Sequence, residues 1–345
     1  MKWLAILFCI FTAFAAFGIG NTVQVNSISM LLKESWNIST HITGITISTL
    51  IGLVILFGLK GIAKVCTILV PFMAVFYVLG CLVILYMNAE YLQEAFNLII
   101  NSAFNPRAAG SGFLGSTVIM AARYGIARGL FSNESGLGSA PIVSAAAQAR
   151  NPVRQALVSS TGTFWDTVVI CAITGLVLVS SVIAHPDIDY TEGAALTKAA
   201  FGKIPVIGPI ILSVGIITFA FSTILGWSYY GEKAIEYIGG KKWVKGYRIL
   251  WVIAIYFGAV LNLSLVWNIA DTMNALIAIP NLISLILLSG VLVKETRKYL
   301  WSDNLELIDD DEIPPNITTN IKAGKYYFRL LYYITRLNQI FILSA

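Results

Sequence analysis

Charged side chains are scarce in this 345-residue sequence: 23 Lys and Arg and 18 Asp and Glu make up 12% of it. Histidine occurs only at His41 and His185, and the four cysteines, Cys9, Cys66, Cys81 and Cys171, form no CxxC pair. That inventory argues against a metal centre or a disulfide framework. The stretch GLFSNESGLGSAPIVSAAAQARNPVRQ, residues 129–155, contains no GxSxG, GxxxxGK[ST] or GxGxxG pattern. With no histidine near Ser132 or Ser135 to act as a base, no catalytic residue is identified and an enzyme is not expected. The basic residues are accounted for by membrane orientation, so nucleic acid is not expected as a partner.

What abounds is apolar. The hydrophobic fraction is 57% and the mean hydropathy +0.78, values foreign to ordinary soluble domains. Charge-free intervals run over 3–32, 35–59, 65–89, 155–165, 167–186, 204–231, 249–270 and 272–293. Most reach the roughly 20 residues a helix needs to cross about 30 Å of hydrocarbon. Continuous runs, in place of short alternating segments, predict an all-α polytopic membrane protein and not a barrel in the lipid bilayer. The first run is too long for a signal-peptide core and holds polar residues, so it reads as a structural span.

Cytoplasmic loops collect Lys and Arg, which orients the chain. With Lys2 inside, the turn holding Lys60 and Lys64, the segment 123–154 and the segment 232–248 all fall inside; 88–94 and 184–203, with their carboxylates, fall outside. Parity then requires a crossing between about 92 and 122, where Asn105, Pro106, Arg107, Gly110 and Gly112 interrupt the apolar sequence. One discontinuous helix, broken at NPRAAGSG, satisfies both observations, and transporters use such breaks to bind substrates and ions near the midplane. About eight crossings result, with a last outer turn near 263–266 and both termini cytoplasmic. Residues 1–300 form the transmembrane domain. Residues 301–345 form a tail with an acidic solvated linker and a terminal interfacial helix interrupted by Arg329 and Arg336.

Several polar residues lie within the apolar runs. Asn21 and Gln24 share one helical face, with Asn26 turned away, and either interhelical hydrogen bonding or a polar site accounts for them. Asp166 stands well inside a run, where a carboxylate marks an ion path or a buried partner. Thr223 and Trp227 are four apart on one face beside Ser222. By itself Trp227 reads as an interfacial anchor. Asn268 and Asp271 fit a solvated helix start, with a kink at Pro280. In 129–155, Asn133 and Glu134 suit a helix cap or a pairing with an arginine, within a non-helical cytoplasmic segment that belongs to gating machinery and not to a pocket.

GLFSNESGLGSAP, the Ala-rich run after it, NPVRQ and DT resemble the signature region of the alanine or glycine:cation symporter family, the sodium:alanine symporters. FGIGNTVQVNS, GWSYYGEKAIEY and VWNIADTMNALIAIPNLISL extend the resemblance over roughly residues 2–300, with Ser135 standing where alanine is usual. The resemblance implies a leucine-transporter-like inverted-repeat fold in the cell membrane, importing alanine or glycine with a sodium ion by alternating access. It implies a substrate site of Gln24, Asn21, Thr223 and Trp227, with Gly110 and Gly112 in a discontinuous helix, and cation ligands at Ser222 and Asp166, with no metal beyond sodium. The family's first three helices have no counterpart, so the fold is expected to lack its first helices, with a missing N-terminal portion as a partner. The alternative is a truncated, non-transporting fragment or half of a split transporter.

Overall fold

In the computed structural model, residues 2–104, 125, 129, 132–134, 136–147, 149–185, 187–188 and 193–307 are described. Every regular element among them is helical. Six helices are long and apolar enough to cross a membrane: Lys2–Trp36, Gly58–Met87, Pro152–Ala184, Ile207–Gly239, Lys241–Val260 and Leu265–Leu287. Thr40–Leu56, also apolar, has 17 residues. These seven coincide with seven of the eight expected crossings. Of the stretch expected to hold the eighth, only the 13-residue helix Leu92–Phe104 is described; the expected break with Gly110 and Gly112 lies outside the described residues, as does the tail from 308 onward.

The first rod comprises α1 (Lys2–Ala15), a π-helical stretch Ala16–Thr22 and α2 (Val23–Trp36). It is followed by α3 (Thr40–Leu56), α4 (Gly58–Met87), α5 (Leu92–Phe104) and the short α6 (Ala140–Ser144). Pro152–Ala184 comprises α7 (Pro152–Thr163), a second π stretch Phe164–Cys171 and α8 (Ala172–Ala184). Then come α9 (Gly193–Gly202), α10 (Ile207–Gly239), α11 (Lys241–Val260), α12 (Leu263–Leu287) and α13 (Ser289–Tyr299).

The first rod is the axis of the bundle, with 61% of its apolar window buried against 17% for Pro152–Ala184. Small residues make this position tolerable. Ala13, Ala15, Ala16, Gly18 and Gly20 let neighbouring backbones approach, the usual device where lipid offers no hydrophobic driving force. A Cβ on Gly258 of α11 would meet the Thr22 Cα at 2.7 Å, and one on Gly18 the Ala270 Cα of α12 at 3.4 Å. The rod runs antiparallel to α10: Lys198, just before α10, pairs with Glu34 at 2.9 Å, while Tyr237 near the other end of α10 neighbours Cys9. Also beside α10, the Lys203 ammonium holds the Asp187 carboxyl below its ordinary range.

The helices extend past the charge-free intervals. α11 begins at Lys241 and contains Lys245 and Arg248, and α10 continues through Glu232, Lys233 and Glu236. Long basic side chains keep their heads at the interface while their stems stay helical, and Arg248 donates from Nε and Nη2 to Glu232 at 2.8 and 2.9 Å. The outer turn expected near 263–266 falls at 261–262.

The motif NPVR starts α7: Asn151 Oδ1 accepts from the Arg154 N–H at 2.9 Å, and Pro152 fills the first helical position. The Asn151 amide also donates to the Leu305 and Leu307 carbonyls at 2.9 and 3.0 Å, while Arg150 and Arg154 both pair with Glu306. The start of the acidic stretch, expected as a solvated linker, is therefore docked onto α7. Asn151→Ala is expected to lower stability by about 1–2 kcal/mol through the lost cap, read as a lower thermal midpoint in detergent; an unchanged midpoint would show that the cap adds nothing to stability.

Candidate functional site

Gly20 and Trp227 bring the first rod and α10 together. A Cβ on Gly20 would lie 2.0 Å from the Trp227 Cβ, so the indole stands where that side chain would be. Trp227 is 2% exposed and packs edge-to-face on Tyr230 at 5.3 Å, which corrects the reading of it as an interfacial anchor. Gln24 and Thr223 lie four residues from Gly20 and Trp227 respectively, toward the same end of the two antiparallel rods. Both are partly exposed. Gln24 donates to the Ile19 carbonyl of its own rod at 3.1 Å, and Thr223 to Phe219 at 2.9 Å.

Asn21 does not share that stripe. Its amide donates to the Trp251 carbonyl of α11 at 3.0 Å, Asn26 donates to Gly258 and Leu261 at 2.9 Å each, and Ser29 to Ala259 at 2.7 Å. The face toward α11 is centred on Thr22 and Val25, and Asn21 and Asn26 flank it from either side. This corrects the picture of Asn26 turned away from a common Asn21–Gln24 face. Asn21 Oδ1 is buried without a hydrogen-bond partner, in the same π stretch as Gly20.

Asp166 and Ser222 have separate partners. Asp166 lies in the second π stretch and accepts from the Ser132 hydroxyl at 3.0 and 2.8 Å. Ser222 donates to the Phe219 carbonyl at 2.8 Å and lies 3.6 Å from Met73 Sδ. Asn268 and Asp271 are exposed, as a solvated helix start requires. Among the described residues no cluster of three metal-ligating side chains occurs.

The described part of 129–155 packs among helices. Asn133 donates to Thr167 at 3.3 Å. The Asn281 amide of α12 donates to the Gly136 carbonyl at 2.7 Å, and Gly138, at φ +80°, lies so close to Asn281 and Phe8 that a Cβ would come within 2.6 Å and 2.9 Å. Among the described residues Glu134 pairs with no arginine. Its carboxylate accepts from the Ser139 hydroxyl at 2.8 Å. Sequence reasoning missed Glu134, Gly20 and Asn281. The one available signal was an acidic residue inside a run of Gly, Ser and Ala.

Comparison with known proteins agrees with this arrangement of a polytopic bundle. The profile of the Sodium:alanine symporter family matches residues 1–311. The chain is 52% identical over 299 residues to the sodium/alanine symporter AgcS of Methanococcus maripaludis, covering 86% of this chain and 65% of that protein. It is 33% identical over 301 residues to the amino-acid carrier protein AlsT of Bacillus subtilis, covering 86% and 63%. It is 32% identical over 301 residues to the probable sodium/glutamine symporter GlnT of the same organism, covering 86% and 62%. The matches thus span slightly less than two thirds of these relatives' length.

Proposed function

Because the chain belongs to the sodium:alanine symporter family, we propose that it carries a small neutral amino acid, alanine or glycine, across the cell membrane with sodium by alternating access. The observation that supports the site is the Gly20–Trp227 contact between the two rods, with Gln24 and Thr223 four residues beyond it. Polar side chains at membrane depth are costly unless they serve a partner or a path. In this reading the Gln24 amide binds a polar end of the amino acid, Thr223 adds a hydroxyl and Trp227 bounds its side chain, while Asn21, buried against α11, contributes by holding the first rod in place. Gly110 and Gly112 belong to a broken helix whose half-helix N-terminus attracts a carboxylate. Ser222 and Asp166 are assigned to the sodium path, on separate elements of a leucine-transporter-like inverted repeat. The higher identity to the alanine symporter than to the glutamine one favours the smaller substrate.

The test is uptake of labelled alanine and glycine into liposomes holding the purified chain. An inward sodium gradient is expected to drive accumulation, and replacing sodium by potassium to abolish it. Absence of sodium-driven uptake would sink the reading. Gln24→Ala and Thr223→Ala are each expected to raise KM about tenfold, the loss of about one hydrogen bond in a dry site. Unchanged KM in both variants would remove them from the site.

A further inference from the structure

Residues 132–134 and 136–139 make a clip whose two ends lie on different parts of the bundle. Glu134, Gly136 and Gly138 stand in the left-handed region, at φ +56°, +79° and +80°, and fold the chain back on itself. The Leu137 N–H closes the turn by donating to the Glu134 carbonyl at 3.2 Å, and the Ser139 hydroxyl closes it again on the Glu134 carboxylate at 2.8 Å. One end grips the π stretch Phe164–Cys171. There the Ser132 hydroxyl donates to Asp166 at 3.0 and 2.8 Å, and the Asn133 amide to Thr167 at 3.3 Å. The other end sits between α1 and α12, where the Gly136 carbonyl accepts from Asn281 at 2.7 Å and the room left by Gly138 is taken by Asn281 and Phe8. Asn281 is 4% exposed, so its amide is desolvated and needs this acceptor. Pro152–Ala184, which carries Asp166, is the least buried of the six long spans. It has little packing to hold it, and the clip's bond reaches it at the Asp166 carboxylate.

We propose that Asn281 is a positioning residue for the cation path: by holding the Gly136 end of the clip on α12 it fixes, through Ser132, where the Asp166 carboxylate stands. This rests on the assignment of Asp166 to that path. A carboxylate free to swing must be ordered anew each time it takes a cation, and that ordering is subtracted from the affinity. Asn281 itself touches no ion. Its loss therefore weakens sodium and spares the amino acid, whose residues stand on the first rod and α10.

The experiment is alanine uptake by the full chain in liposomes over a series of sodium concentrations, with hydrogen exchange across 132–147 followed alongside by mass spectrometry. Asn281→Ala is expected to raise the sodium concentration for half-maximal uptake about tenfold, the worth of one hydrogen bond, with alanine KM at saturating sodium within about twofold. Exchange across 132–147 is expected to quicken about fivefold while exchange in α11 keeps its parent rate. Ser284→Ala removes a bond internal to α12, from the Ser284 hydroxyl to the Pro280 carbonyl at 2.8 Å, and serves as the control for a merely structural loss. It is expected to leave the sodium dependence unchanged. Added to Ser132→Ala, Asn281→Ala is expected to contribute less than about twofold, because both loosen the same hold. An unmoved sodium dependence, an unmoved exchange rate, an equal shift in Ser284→Ala, or effects that multiply overturn the proposal. Exchange is read without transport, so a failure here is distinguishable from a failure of the symport reading. Should Asn281→Ala fail to fold, Gly138→Ala brings a methyl within 2.6 Å of Asn281 Oδ1 and loosens the same end of the clip; faster exchange with a shifted sodium dependence supports the proposal, and a parent value in either overturns it.

Discussion

Gly20→Ala is expected to lower stability by about 3 kcal/mol, the upper end of the usual cost of overpacking, and Gly20→Leu to leave no folded protein. The added Cβ would stand 2.0 Å from the Trp227 Cβ and 2.1 Å from its Cγ, well inside contact distance. Trp227 has nowhere to withdraw: it is 2% exposed and lies against the Tyr230 ring. The rod must therefore move away from α10 and give up its packing there. Gly246 of α11 supplies the contrast, since it has nothing within 4 Å of an added Cβ. Gly246→Ala is expected to be neutral or to gain up to about 1 kcal/mol from helix propensity. Monodisperse yield and thermal midpoint in detergent measure both variants, and a Gly20→Ala protein as stable as its parent would refute the contact.

The second large effect lies at the Glu232–Arg248 pair joining α10 and α11. Side-chain exposures of 10% and 29% place it mostly out of solvent, and both guanidinium contacts fall below 3 Å. Arg248 Nη2 also lies 3.2 Å from where a Cβ of Gly58 would stand, at the turn between α3 and α4. Glu232→Ala strands a buried cation and is expected to cost about 3–5 kcal/mol. The double change Glu232→Leu with Arg248→Met is expected to cost far less, because it removes both charges together. Thermal midpoints of the three proteins decide it. Equal losses in the single and double variants would show that shape, not the stranded charge, sets the stability.

Long apolar helices were legible in composition because hydrocarbon thickness imposes a length on every span. Their ends were less so: the Lys241 to Arg248 turns read as a loop by charge, yet fold as helix because Lys241, Lys242 and Lys245 are exposed and Arg248 is neutralised by Glu232. The site was partly legible. Trp227 lies against Gly20 of the first rod, and Gln24 and Thr223 bond within their own helices. Pairings between helices were not legible. Asn21 turned to α11, Asp166 to Ser132, and Glu134 to Ser139, because hydrogen bonds across the bundle depend on rotations that no single helix encodes. The docking of Glu306 on Arg150 and Arg154 was invisible for the same reason.

The two widened stretches, Ala16–Thr22 and Phe164–Cys171, give their helices a residue more than the span requires. A helix carrying such a surplus can pass it along its length, one peptide at a time, by exchanging one set of carbonyl partners for the next. The axial rod pairs through Glu34 with Lys198, and its N-terminal half accepts from the Tyr247 hydroxyl at the Ala13 carbonyl. The surplus can then be passed along between those two contacts, in the stretch that carries Gly20 and Asn21.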